Sequence, residues 1–250
     1  MKRRLFSCLA TVSVLAIAAT AWAAPEAPAK PKPKKPAART AESALTPDIK
    51  DRNRHEQFLK RIQEGPVDLL FLGDSITDAF PRGGKETWEK FAAYKPADFG
   101  ISGDRTEHVL WRITNGELEG IKPKVVVIMI GTNNVGHFAD EQPEWAAAGV
   151  EKIVATVHEK LPEAKVLLLG VFPRDKKDSP LRKKVEAINA IIAKLGDGKQ
   201  TVYLDISKSF LDDEGNLPKD IMPDALHPNA KGYQIWYDAM WPTLEKMLKE

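Results

Sequence analysis

Ser75 closes an apolar run in "VDLLFLGDSITDAF" (67–80), and far downstream Asp224 and His227 stand three residues apart in "PDALHP". Those residue types suit ester hydrolysis, which needs a nucleophile, a base to take its proton, and donors aimed at the oxyanion that forms. Ser75 offers the hydroxyl and His227 the base. Asp224 can accept from the imidazole Nδ1–H, leaving Nε2 to face the serine. Three donors are available for an oxyanion: the amide of Ser75, the amide of Gly103 in "GISGD", where no side chain obstructs a substrate, and the side-chain NH2 of Asn133 in "GTNN". Taken singly, Ser75 reads as a turn or cap residue and His227 as a surface histidine. The chain order Ser, Asp, His is compatible with a triad, which only geometry defines.

These residues need a scaffold that brings distant loops together. Short apolar runs occur at 67–72, 97–101, 125–130, 165–169 and 201–205. Apolar at successive positions, they suit strands buried on both faces of a parallel sheet. The segments between them have helical spacing. In "PEWAAAGVEKIVATVHEKL" positions 146, 150, 153, 154, 157 and 161 form one stripe. In "SPLRKKVEAINAIIAKL", Ser179 is a cap, Pro180 opens the first turn and Leu181, Val185, Ile188, Ile192 and Leu195 form the stripe. Thr46-Pro47 predicts the start of a first helix through Phe58, Leu59 and Ile62. After Asn229 a last helix turns Tyr233, Trp236, Met240 and Leu244 inward, with Pro242 marking a kink. The alternation predicts a doubly wound, three-layer α/β domain over 41–250. Ligands of such sheets sit outside the carboxyl ends of the strands, where "GDSITD", "SGDRT", "GTNNVGH" and "FPRDKKD" fall.

The blocks "GDSIT", "GISGD", "GTNN" and "DALHP", in that order, resemble the four blocks of the GDSL or SGNH hydrolase superfamily. The resemblance spans residues 58–248, and 99–134 is especially similar to the catalytic subunits of platelet-activating-factor acetylhydrolase and their bacterial relatives. It implies a flavodoxin-like α/β/α fold with a five-stranded parallel sheet in the order 2-1-3-4-5. It also implies Ser75 as nucleophile, Asp224 and His227 as its partners, and Ser75, Gly103 and Asn133 as the oxyanion hole. No metal or organic cofactor is implied. The family cleaves small acyl esters, many of them acetyl groups on sugars or lipids.

Other residues have weaker expectations. Asp74 is expected to tie the turn through backbone amides, with substrate contact as the alternative. His137 and Arg174 fall on pocket-facing loops and are candidates for substrate binding. His55 and His158 read as solvated, and His108 as packed. "LDDEGN" (211–216) lacks the alternating acids of an EF-hand. No HExxH, Walker loop, GxGxxG or lipase-type GxSxG occurs, which removes zinc-protease, nucleotidase, dehydrogenase and ordinary α/β-hydrolase readings.

The chain of 250 residues, 43% hydrophobic and 29% charged, can bury a sizeable core. Residues 1–23 have a basic start, an apolar stretch and an Ala21-x-Ala23 ending, the pattern of a cleaved signal peptide. An uncleaved anchor and twin-arginine export are the alternatives. Residues 24–40 alternate Pro, Ala and Lys as a solvated linker. The net charge of +2 divides unevenly: 1–40 holds eight basic residues and one acid, leaving 29 basic and 34 acidic residues beyond. Those charges are interspersed, which argues against a nucleic-acid partner. Cys8 is the single cysteine, so a chain cut at Ala23 has no disulfide, thiolate metal site or Cys nucleophile. The expectation is an exported, periplasmic or secreted serine esterase, a monomer or homodimer with no membrane span after cleavage. Its substrate would be a short acyl ester, with carbohydrate as the acceptor. A phospholipid acetylhydrolase, lysophospholipase or thioesterase, and a non-catalytic envelope glycan-binding module, are the alternatives.

Overall fold

Each apolar run becomes a strand in the computed structural model, which describes residues 38–250. They are β1 (Leu69–Gly73), β2 (Pro96–Gly100), β3 (Val125–Met129), β4 (Lys165–Leu169) and β5 (Thr201–Leu204). All pairings are parallel and the order across the sheet is 2-1-3-4-5, as expected. The helices are α1 (Arg52–Gln63), α2 (Ser75–Asp78), α3 (Phe80–Gly83), α4 (Lys85–Trp88), α5 (Thr106–Thr114), α6 (Thr132–His137), α7 (Pro143–Lys160), α8 (Pro180–Ile192) and α9 (Ala230–Lys249). The expected signal segment and most of the linker lie outside the described residues. Among the described residues no helix is long and apolar enough to cross a membrane.

Successive strand residues point to opposite faces and so separate into two cores. Leu70, Leu72, Val126, Ile128, Val166 and Leu168 pack with Phe58 of α1, Val109 of α5, Val150 and Ile153 of α7 and Ile188 of α8. Leu69, Phe71, Val125, Val127, Leu167 and Leu169 pack on the other side with Phe80, Phe91 and the α9 residues Trp236, Met240 and Leu244. Each fully buried aliphatic or aromatic side chain stabilises by roughly 1.5–3 kcal/mol relative to exposure. Covering both faces of a parallel sheet makes the three-layer α/β/α architecture.

The caps on α8 and α9 follow the sequence. The Ser179 side chain accepts from Arg182 N with Pro180 in the first turn, and Asn229 accepts from Gly232 N. The first helix differs from expectation. It begins at Arg52, where Asp51 accepts from Arg54 N, and not at Thr46-Pro47. The stretch before it is held by tertiary contacts, with Asp48 N donating to the Glu107 carbonyl at 3.1 Å. His55 also departs from its solvated reading: it is buried, with Nδ1 3.0 Å from Glu117 Oε1 and its ring edge-on to Trp111. Arg39, assigned to the linker from its composition, is packed against the domain, ion-paired to Glu107 and Glu141.

Candidate active site

At the carboxyl edge of β1 the chain turns into α2 with no room for side chains. A Cβ on Gly73 would lie 2.1 Å from Thr77 Oγ1 and 2.8 Å from the Met129 carbonyl. One on Gly100, its partner in β2, would lie 2.2 Å from Asp78 N and 2.8 Å from the Asp74 carbonyl. The two glycines therefore let α2 sit directly over the strand ends. Asp74 is buried beneath this turn and caps α2, its Oδ1 accepting from Ile76 N at 3.0 Å. Burial pushes its carboxyl up to about 7 against the pull of that amide. Ser75 is consequently the first residue of α2, where backbone N–H groups lack intrahelical acceptors.

The imidazole expected as the base, His227, arrives from the loop before α9. Ser75 Oγ is 2.9 Å from His227 Nε2, and His227 Nδ1 is 2.6 Å from Asp224 Oδ2. A carboxylate only accepts, so Nδ1 carries the proton and Nε2 is free to accept from the serine. The other Asp224 oxygen accepts from the backbone of Leu226 (3.0 Å) and His227 (2.7 Å), closing a turn in which Ala225 takes φ 57°. Partial burial opposes ionisation of Asp224, but the hydrogen bonds from His227 prevail and hold it below the usual carboxylate range. Both side chains stay open to solvent, 56% exposed for Asp224 and 40% for His227.

Gly103 has φ +78°, a conformation that suits glycine, and its Cβ position is not crowded: the nearest atom is Lys50 Nζ at 3.4 Å. Backbone angle, more than space, selects glycine there. Neither the Gly103 amide nor the Ser75 amide has an acceptor among the described residues. Asn133, buried in α6, donates from Nδ2 to the Asp104 carbonyl at 2.9 Å. That bond ties the α6 side of the cleft to the Gly103 loop and uses one of the two side-chain N–H groups.

The remaining candidates lie around this centre. Asp74 is wholly enclosed and does not reach the cleft surface. His137 is exposed, with Nδ1 3.4 Å from Arg105 Nη1 and Cε1 3.8 Å from the Cβ position of Gly103. Desolvation, with Arg105, Arg174 and Lys50 nearby, holds its imidazole below the ordinary histidine range. Arg174 donates from Nη1 to the carbonyl (2.8 Å) and hydroxyl (3.1 Å) of Thr132 and lies flat on Gly136, where a Cβ would be 2.4 Å away. It shares an open depression of about 350 Å³ with Asp175, Leu181, Asp224, Ala225 and Leu226.

Two further residues hold the site and carry no sequence signal that marks them. Arg112 is buried and donates to Asp104 Oδ2 (3.0 Å), to a Glu117 carboxylate oxygen, and to the carbonyls of Phe99 (3.0 Å) and Gly73 (3.5 Å). One guanidinium thus links β1, β2 and the Gly103 loop. Tyr233, expected only as an apolar face of the last helix, donates its hydroxyl to the Ile76 carbonyl at 2.8 Å and ties α9 to α2.

The class defined by fold and side chains is a doubly wound, three-layer α/β domain that brings Ser75, His227 and Asp224 together at the carboxyl edge of its parallel sheet. The model of the GDSL-like lipase/acylhydrolase family matches residues 71–235. Platelet-activating factor acetylhydrolase IB subunit alpha2 of Gallus gallus is 38% identical over 205 residues, covering 81% of this chain and 87% of that protein. The human alpha1 subunit is 35% identical over 198 residues, covering 78% and 83%. Among solved structures, a GDSL-like lipase from Bacteroides thetaiotaomicron superposes with a TM-score of 0.66 at 20% identity, over 77% of this chain and 97% of that one. A catalytic mutant of Axe2, an acetylxylan esterase from Geobacillus stearothermophilus, gives 0.58 at 20% identity, over 73% and 95%. The chain belongs to the GDSL-like lipase/acylhydrolase family and is an ester hydrolase.

Proposed function

We propose that this chain is an exported serine esterase that removes acetyl or other short acyl groups from carbohydrate. The observation that carries the reading is the continuous hydrogen-bonded path from Ser75 Oγ through His227 to Asp224 at 2.9 and 2.6 Å. Ser75 Oγ attacks the ester carbon while its proton passes to His227 Nε2, and Asp224 stabilises the imidazolium that results. The tetrahedral oxyanion is received by the amides of Ser75 and Gly103 and the second N–H of Asn133. Collapse expels the alcohol, which takes the proton from His227. Water, deprotonated by the same imidazole, then releases the acid and restores Ser75.

The open, polar depression beside the site, lined by Arg174, Asp175 and Asp224, supports an ester whose alcohol part is hydrophilic. Export rests on the pattern of residues 1–23. A second reading, an acetyl ester of a phospholipid, is favoured by the 35–38% identity to platelet-activating factor acetylhydrolase subunits.

The purified chain should hydrolyse p-nitrophenyl acetate faster than the butyrate or octanoate, and Ser75→Ala should abolish that activity. No turnover of short esters, or full activity in the variant, would overturn the reading. Acetate release from acetylated xylan, peptidoglycan or sialic acid, compared with a 2-acetyl phospholipid, separates the two substrate classes. Mass determination of the chain recovered from an exporting host tests cleavage after Ala23.

A further inference from the structure

We propose that Arg39 is a positioning residue of the active site, holding Asn133 in place through Glu107, Glu141 and Asn134. The inference rests on Asn133 being an oxyanion donor. The Arg39 guanidinium donates to Glu107 Oε1 at 2.8 Å and Glu141 Oε2 at 2.6 Å, and both carboxylates are buried. It also lies 4.7 Å from the centre of the Phe138 ring, while its backbone N–H reaches Asp140 Oδ2 at 3.0 Å. A segment well before α1 in the sequence is thereby fastened to both ends of the loop that follows α6.

The two carboxylates have a second task. Glu107 Oε2 and Glu141 Oε1, the latter also accepting from Arg39 Nη2 at 3.5 Å, each lie 3.3 Å from Asn134 Nδ2. The same carboxamide donates to Thr106 Oγ1 at 3.0 Å and accepts from Thr106 N at 3.1 Å. Asn134 is therefore clamped between the start of α5 and the acidic pair, and its neighbour Asn133 reaches across to the Asp104 carbonyl. Among the described residues, removing Arg39 leaves the Glu141 carboxylate without an ion pair, the Lys184 ammonium being held on the Glu141 carbonyl at 2.7 Å, and leaves Glu107 paired to Arg105. Two buried carboxylates so close cannot both remain ionised and dry. One must take up a proton or water, which changes the acceptors offered to Asn134 and shifts α6 with Asn133 on it.

The test uses the full chain with Arg39→Ala, Asn133→Ala and the double variant. With p-nitrophenyl acetate, Arg39→Ala should lower kcat by ~10- to 10²-fold, the scale of a small misplacement of a catalytic group, with KM changed less than about twofold. In the Asn133→Ala background the same substitution should change kcat by less than about twofold, because the group it positions is already gone. Amide exchange should accelerate over 131–141 and stay unchanged in β1. Unchanged kcat in Arg39→Ala, an equal loss in both backgrounds, or unchanged exchange over 131–141 would each overturn the proposal. Should Arg39→Ala not fold, Arg39→Lys keeps the charge but engages one carboxylate, and the same three readouts apply with a smaller loss. If the wild-type chain hydrolyses no ester, the functional reading fails, and the exchange comparison still decides whether Arg39 governs α6.

Discussion

One N–H of Asn133 is committed to the Asp104 carbonyl, which leaves a single donor for substrate. Losing that donor should cost kcat ~10²- to 10³-fold, the loss typical of removing one oxyanion contact, with a small effect on KM. Steady-state kinetics of Asn133→Ala measure this, and a loss below about fivefold would remove the residue from the hole. Arg112 acts differently, since it touches carboxylates and carbonyls deep in the fold. Arg112→Met removes the shared guanidinium from two buried carboxylates, leaving Asp104 with Lys50 at 3.6 Å and Glu117 with His55 at 3.0 Å, and should destabilise by about 3–5 kcal/mol. Denaturant unfolding reads that directly; a change under 1 kcal/mol, well below the cost of breaking a buried pair, would mean water replaces the guanidinium.

The turn from β1 into α2 depends on close backbone approach, and two glycine substitutions separate that cause from backbone strain. Gly100→Ala forces a methyl group against Asp78 N and the Asp74 carbonyl, atoms that cannot swing aside. It should cost at least ~1–3 kcal/mol, as overpacking does, and reduce activity beyond its effect on stability, because it lifts the helix that begins with Ser75. Gly198→Ala, at φ +71° with nothing within 4 Å, should cost about 1–2 kcal/mol from the dihedral alone and leave kcat intact. Equal losses of activity in the two would remove the turn argument. The strands were legible in the sequence because five apolar runs of strand length recur between helical stripes. Ser75, Asp224 and His227 stood out because each follows or precedes such an element within a short motif. The supports were not legible. Arg39 meets Glu141 across 102 residues, His55 meets Glu117 across 62, and Arg112 meets the Gly73 carbonyl across 39. In a sequence, a charged or imidazole side chain on a helix reads as solvated, and only the partner shows otherwise. The start of α1 was displaced for a related reason: contacts from Asp48 and Lys50 to the Glu107 and Ser102 carbonyls hold that stretch out of a helix.

Across the whole molecule, two acids with enclosed carboxylate oxygens, the buried Asp74 and the half-buried Asp98, should set a pH dependence. Burial pushes Asp98 up to about 8 and Asp74 up to about 7. The folded state therefore binds protons that the unfolded chain releases above about 4, and stability from these groups falls as pH rises from there through 7 and 8. Asp98→Asn imitates the protonated form while keeping the acceptor for Gly100 N, so it should raise Tm at pH 8–9 and flatten the decline above pH 5. An unchanged slope in a thermal-melt series would rule out Asp98 as a source. The Ser75 to His227 bond joins residues 152 positions apart, one after the first strand and one before the last helix. Closing so long a loop requires nearly the entire chain to be in place. Hydrolysis is therefore a gauge of completed folding: during refolding, turnover should return no earlier than the near-ultraviolet signal of the aromatic cluster that Trp236 forms with Phe80 and Phe172. A nascent chain that stops short of Asp224 and His227 has Ser75 in place but lacks the imidazole proposed to take its proton, so it should release no product.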